Sequence, residues 1–419
     1  MKPILLAGTT AAVLVTASLA PAMAQAPKPA SQVVEWNRTL LVIVRTPGAQ
    51  PATIHPTRSF AIMHAAIYDA VNAIDGTHKP YLIRLSASHF ASQEAAAAGA
   101  AHEVLVNLYP NFQATLDTQF QQALAQLPSG GRGEGIRIGK TVADRILALR
   151  ANDGSNAQPI PYVFGNALGD YQSTPPNFPK QPQFTHWSRV TPFALESANQ
   201  FRPGGPPNLT SDRYSDAFDQ VKSLGIAGST TATADEARAG RFWNGAIQNY
   251  WNEIAQTASL AHDLTTAENA RLFSLNLSFA DAVIAFYDAK YTYNLWRPVT
   301  AIRAAAMGGN PDTEADPNWL PEVGNTTPDP SYPGAHAVIS AAGAEVLSSF
   351  LRKRHFEFSV TSEVMPGVER SFTSFPAAAE EATLTGVHFL FDLTTGQRLG
   401  SDIADFVVDN FLTSRDRDN

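Results

Sequence analysis

The chain has 419 residues, 44% of them hydrophobic and 16% charged, with a formal net charge of -8 and no cysteine. That composition supplies a real core and excludes a disordered chain, and its acidic balance excludes polyanion binding by bulk electrostatics, so any anion site must be local. The missing cysteines exclude disulfides, thiol catalysis and thiolate metal sites.

The first stretch, "MKPILLAGTTAAVLVTASLAPAMAQ", places one lysine before an apolar run and Ala22-Met23-Ala24 before Gln25. This pattern predicts a secretory signal peptide over 1–24, removed on export to the periplasm or the medium. A membrane anchor is the alternative reading, disfavoured because the run is short and rich in alanine and threonine. No later stretch reads as the roughly 20 apolar residues that span a bilayer. The mature chain is therefore expected to be soluble, with neither a membrane nor a nucleic acid as partner.

Helical spacing of apolar residues then recurs over 33–45, 57–75, 92–109, 112–127 and 135–153. These segments predict an N-terminal helical bundle over 25–154. From 155 to 209 prolines and glycines crowd together in "PIPYVFG", "STPPNFPKQPQ" and "FRPGGPPN". Too many aromatic residues lie there for a flexible linker, so an ordered connection is expected. Helical patterns return over 212–225, 233–264, 266–297 and 336–354, with two more near the end and a possible short strand pair near 355–373. They predict a C-terminal helical bundle over 210–419. The expected fold class is all-α, as two stacked helical bundles.

Three segments carry candidate chemistry. "KYTYNLWRP" sets Lys290 and Arg297 seven residues apart, which on one helix means one face and about 10 Å along the axis. A planar guanidinium fork and a point-charge ammonium can converge on one oxyanion; the bland alternative is pairing with a nearby carboxylate such as Asp288. "SYPGAHAVIS" puts His336 at a helix start, where backbone N–H groups favour anions and an imidazole can move protons. Alone, it is as often a helix-start residue as a catalyst. "LTGVHFLFD" sets His388 after a glycine among apolar residues, which alone reads more readily as a satisfied core histidine than as a ligand.

Together and in this order, the three segments resemble the signature of the vanadium-dependent haloperoxidases and the related type 2 phosphatidic acid phosphatases. That signature is lysine, six residues, arginine-proline; then proline-serine-glycine-histidine; then serine-arginine, five residues, histidine. The first motif is met in full and the last histidine fits "GVHF". "VVEWN", "AIMHAAIYDAVNAI", "DPNWLP" and "ERSFTSFPAAAEEA" are also similar to the bacterial haloperoxidase branch, so the resemblance extends over nearly the whole mature chain.

The resemblance implies a vanadate pocket, or a phosphate pocket in the phosphatases, at the centre of a helical bundle. His388 would bond to vanadium or attack phosphorus, and His336 would be its acid-base partner. Lys290 and Arg297 would neutralise the oxygens, with Gly334 and Ala335 at the second motif. The implied co-substrates are hydrogen peroxide with a halide or a small organic molecule. Two departures stand out. Gly334 replaces the family serine, leaving only a backbone N–H to donate there. Glu381 and Ala382 stand where serine and arginine belong, and no arginine lies between Arg370 and Arg398. Arg303 and Arg398 are candidate replacements by proximity in sequence. Three functions follow as expectations: a haloperoxidase weakened by the lost arginine, a phosphomonoesterase with a histidine nucleophile, or a non-catalytic oxyanion-binding homologue.

Overall fold

Helix α1 (Gln32–Arg45) buries Val33, Trp36, Leu40 and Ile43, spaced three and four residues apart so that they form one apolar stripe. It packs on α3 (Gln93–Leu108), whose alanines from Ala95 to Ala101 are all buried. Around α3 gather α2 (Pro56–Asp75), α4 (Gln113–Gln126) and α5 (Arg132–Arg150). Small residues set the α3–α5 spacing: a methyl group on Gly139 would lie 2.3 Å from the Ala96 carbonyl oxygen. Arg58 of α2 and Arg150 of α5 both grip the buried carboxylate of Asp153, at 2.7 and 2.9 Å.

The computed structural model describes residues 30–307, 309–353 and 355–415, and the described residues from 31 onward form one compact unit. The signal peptide read at 1–24 lies outside the described residues.

Between 155 and 209 the chain is ordered with a single helical turn at Trp187–Arg189. Its backbone is held by side chains. The carboxylate of Asp281 accepts the N–H groups of Phe193, Ala194 and Leu195 at 2.6, 2.7 and 2.8 Å. Such capture satisfies amides that an irregular buried segment cannot pair with itself.

A second group of helices follows: α6 (Asp212–Leu224), α7 (Ala234–Phe242), α8 (Ile247–Ala261), α9 (Thr266–Leu272), α10 (Leu275–Tyr293), α11 (Pro298–Ala304), α12 (Ala335–Leu351), α13 (Phe375–Glu381) and α14 (Leu390–Asn410). Between α12 and α13 an antiparallel pair forms, β1 (His355–Thr361) with β2 (Glu369–Ser374), where the sequence suggested one. The fold is thus all-α in class, with α10, α12 and α14 packed together and α10 also lying against α2. Helices α12 and α14 touch through glycines: added methyls on Gly396 and Gly400 would sit 2.7 Å from Gly334 O and 2.1 Å from Val338 O. That contact sets the start of α14 beside the start of α12.

The structure divides two of the expected helices. The pattern over 233–264 breaks between Phe242 and Ile247. The pattern over 266–297 breaks after Leu272 and ends at Tyr293, with Asn294 in the left-handed conformation as C-cap. Residues 266–293 are long and apolar enough, by composition, to cross a membrane, but 94% of the window is buried inside the protein. This run is the core of the second helical group.

Candidate functional site

Arg297 is not the last residue of a helix, as its spacing from Lys290 suggested. It is the N-cap of α11, with Pro298 in the first turn, a position that proline favours because its missing N–H would have no partner there. The two cations therefore sit on different elements, and the turn at Asn294 brings them together. Neither pairs with Asp288, which is bound by Arg202 at 2.5 and 2.7 Å.

What they share is Asp329, in the loop before α12. Its Oδ1 lies 3.0 Å from Lys290 Nζ and 2.6 Å from Arg297 Nη2. Gln183, from the proline-rich connection, donates to Oδ2 at 3.1 Å. Lys290 also donates to the carbonyls of Pro330 and Ser331. Arg297 donates to the Asp329 carbonyl at 2.8 Å and the Val387 carbonyl at 3.2 Å. All three charged groups are buried. Burial pulls the Lys290 ammonium down to about 8 against the attraction of Asp329. Burial would raise the Asp329 carboxyl, but Lys290 and Arg297 hold it below the usual carboxylate range.

His388 lies two residues before α14 and one turn from Asp392. Its Nε2 is 3.1 Å from Arg297 Nη1. Arginine can only donate, so Nε2 presents its lone pair and the ring proton sits on Nδ1. That proton faces Asp392 Oδ2 at 3.3 Å. Asp392 in turn accepts from Ser331 Oγ at 2.5 Å and from the Phe389 N–H at 3.0 Å. Burial first, then Arg297 and Lys290, hold His388 well below its ordinary pKa, so the ring is neutral. His336 is set by the same logic. Its Nε2–H donates to the Trp243 carbonyl at 3.0 Å, which leaves the Nδ1 lone pair, and burial lowers its pKa.

Arg297, Asp329, Ala335, His336 and His388 line one cavity of about 290 Å³. Lys290 stands behind it, joined through Asp329. Of the residues named from sequence, two have their expected donors spent: the Gly334 N–H goes to the Asp392 carbonyl at 3.0 Å, and the Lys290 ammonium is taken up by Asp329 and the Pro330 and Ser331 carbonyls. The backbone donors left at this end of α12 are those of its first turn, beginning at Ala335, which have no partner within the helix.

Among the described residues, no second arginine lines the cavity. Arg303 donates to the Trp319 carbonyl, and Arg398 is exposed beside Asp402; neither replaces the lost cation. Glu381 bonds Arg370 and Trp243 instead of facing the cavity, and Ala382 is buried as the C-cap of α13.

Sequence reasoning missed Asp329, Ser331, Asp392, Gln183 and a third cavity histidine, His55, which burial lowers to about 3. A signal existed for Asp392, four residues after His388 and so one turn away on a helix. None existed for the others, which come from aperiodic loops or from a distant helix start.

Comparison with known proteins bears on this arrangement. Residues 271–416 match a family model described as the VCPO second helical-bundle domain. A crystal structure of a bacterial vanadium-dependent iodoperoxidase is 24% identical, with 91% of this chain and 96% of that one covered and a TM-score of 0.77. A holo-type bacterial vanadium-dependent chloroperoxidase is 14% identical, covering 88% and 96%, with a TM-score of 0.64. Its apo-type counterpart is also 14% identical, covering 87% and 94%, with a TM-score of 0.66. A search of curated proteins finds no match. The fold is the vanadium haloperoxidase helical-bundle fold, as the family resemblance implied.

Proposed function

We propose that the chain is an exported haloperoxidase-type enzyme, in which a histidine-held vanadate serves the oxidation of a halide by hydrogen peroxide. The observation that carries this reading is the contact between Arg297 and His388: a guanidinium donor and a neutral imidazole lone pair meet at the cavity wall. With the ring proton committed to Asp392, Nε2 is the unprotonated nitrogen, and it would bind an electrophilic centre in exchange for the hydrogen bond it accepts from Arg297.

The donor set fits a tetrahedral oxyanion: one imidazole lone pair, two buried cations and the first turn of α12 at Ala335. Vanadate, when bound, supplies a Lewis-acidic centre that activates peroxide. The chain's own residues would do the rest. His388 would bind through Nε2 with its orientation fixed by Asp392. Arg297 and Lys290 would offset negative charge on the oxygens. His336, with Nδ1 unprotonated, would take up a proton from an incoming peroxide. Phe184, Phe286 and Ile339 give the cavity an apolar wall that limits water.

Two terms argue for weak cofactor binding. Among the described residues the third-motif arginine has no substitute in the cavity lining, and Asp329 already neutralises one of the two remaining cations. Low turnover or a need for added vanadate follows. Residues 1–24 are proposed to be removed on export, leaving a helical segment to 154, a connection to 209 and the pocket-bearing segment beyond.

The test uses the mature protein purified from the exported fraction. Bromide- or iodide-dependent halogenation of a phenol indicator by peroxide, rising with added vanadate, is the expected result. Release of phosphate from a monoester without vanadate would replace this reading with a phosphatase. Neither activity in a folded protein would leave a non-catalytic oxyanion binder.

A further inference from the structure

We infer that a second cavity, walled by the start of α10 and the ends of α12 and α14, binds a small organic carboxylate with an apolar body. It shares no lining residue with the oxyanion cavity, and the inference stands apart from the function proposed above.

The cavity measures about 290 Å³. An apolar cavity of roughly 150 Å³ accommodates benzene, so there is room for an organic body. Leu275, Val346, Phe350, Val407, Phe411 and Leu412 give it apolar walls. Among the described residues that line it there is no Asp or Glu, whereas Arg271 and Arg352 are both present. In a chain with 38 acidic and 30 basic residues, this is a local reversal of sign.

Arg271 fixes where the charge lies. Its guanidinium sits between two other lining side chains: Nη1 is 3.1 and 3.0 Å from His78 Nδ1 and Nε2, and Cζ is 6.0 Å from the centre of the Phe350 ring. The Nε–Nη2 edge makes no hydrogen bond among the described residues, since only Nη1 is engaged. That edge can hold a planar carboxylate through two parallel bonds. The neighbouring carboxylate of Asp75 is taken by Thr77 Oγ1, and Arg415 adds a cation, donating from Nε to the His78 carbonyl at 3.0 Å.

α10 supplies a further polar group. Ser274 Oγ is spent on the Ala270 carbonyl at 2.9 Å. Ser278, one turn on and also in the lining, is fully buried, and its Oγ has no partner among the described residues. A buried hydroxyl left unpaired is costly, and a ligand acceptor would satisfy it. An inorganic anion would use the arginine and waste the apolar walls; an uncharged molecule would do the reverse. Residues 411–414 complete the wall and are tied back to the first helical group, the Lys79 N–H donating to the Thr413 carbonyl at 2.9 Å.

Hexanoate, acetate and hexanol separate the two contributions, one lacking the chain and one the charge. Isothermal titration of the wild-type protein is expected to show saturable binding of hexanoate, at least about tenfold tighter than either analogue, or about 1.4 kcal/mol. Arg271→Gln should weaken hexanoate about tenfold and leave hexanol unchanged. Arg352→Gln alters an exposed side chain and should weaken hexanoate in the same direction, which keeps the test open if Arg271→Gln does not fold. Prior addition of vanadate should leave hexanoate affinity unaltered. Hexanoate bound no more tightly than hexanol, no saturable binding, or full affinity in both folded variants would overturn the inference. Displacement of hexanoate by vanadate would place it in the oxyanion cavity and overturn the inference as well.

Discussion

Arg297 and His388 meet across the cavity, Nη1 to Nε2 at 3.1 Å, although ninety-one residues of chain separate them. The contact makes Arg297 both an anion donor and the group that marks the imidazole lone pair. Arg297→Ala is expected to abolish vanadate or phosphate binding. It also leaves Asp329 with Lys290 as its one cation, so stability should fall by about 3–5 kcal/mol, the usual cost of breaking a buried pair. Arg297→Lys should recover part of the stability and little of the anion binding. Anion titration together with urea denaturation measures both; full anion affinity in Arg297→Ala would remove this arginine from the site.

Gly334→Ser restores a hydroxyl at the second motif. Gly334 has φ -72°, open to any residue. A Cβ there would meet the Leu393 Cδ2 tip at 3.2 Å and His388 Cγ at 3.5 Å. The leucine tip can give by a few tenths of an ångström, and the new hydroxyl would lie beside the imidazole. Vanadate affinity is expected to rise about tenfold, or about 1.4 kcal/mol, with the melting temperature nearly unchanged. Unaltered affinity in the folded variant would show that the hydroxyl cannot reach the anion.

Asp153 tests the fold without touching the cavity. It anchors Arg58 and Arg150, and Arg150 also lies over the Phe193 ring at 3.8 Å. Asp153→Ala leaves two buried guanidinium groups without their carboxylate and should cost about 3–5 kcal/mol. Anion affinity of the folded fraction should stay at the wild-type value. A melting temperature within a degree or two of wild type would show that the arginines find other partners.

His64 sets an acid limit on stability. Its Nε2 bonds Asn37 Oδ1 at 2.8 Å, and burial takes its pKa from 6.5 to about 3. The folded state therefore keeps this ring neutral while the unfolded chain protonates it below 6.5. Its stabilising contribution is present above that pH and is lost as pH falls, by roughly 1.4 kcal/mol per pH unit until about pH 3. His64→Gln, which can still donate to Asn37, should flatten the pH dependence of urea midpoints by that amount. Identical slopes for wild type and variant between pH 6.5 and 5 would refute the assignment.

Much of this protein is written locally. Apolar spacing such as Val33, Trp36, Leu40 and Ile43 specifies a helix because a 3.6-residue period leaves one buried face, and this carried the all-α class. The order of Lys290, Arg297, His336 and His388 pointed to one pocket; Arg297, His336 and His388 line the cavity, and Lys290 stands behind it, bonded to Asp329. The reason first given for the cations converging, seven residues on one helix, does not hold: Asn294 ends α10, and Arg297 caps the next helix. Convergence came from a chain reversal that periodicity does not encode.

Residue type and local period determined the helices, the motif histidines and the loss of an arginine near position 382. Tertiary structure alone decided which of 38 acidic residues would neutralise the cations. Asp329 was chosen because an aperiodic proline-bounded loop passes between α10 and α11. Ser331 faces Asp392 because that same loop runs into α12 where α12 and α14 close on Gly396 and Gly400. Charge pairing in a buried site depends on distances of 3 or 4 Å between elements far apart in sequence, and a linear pattern contains no such distances.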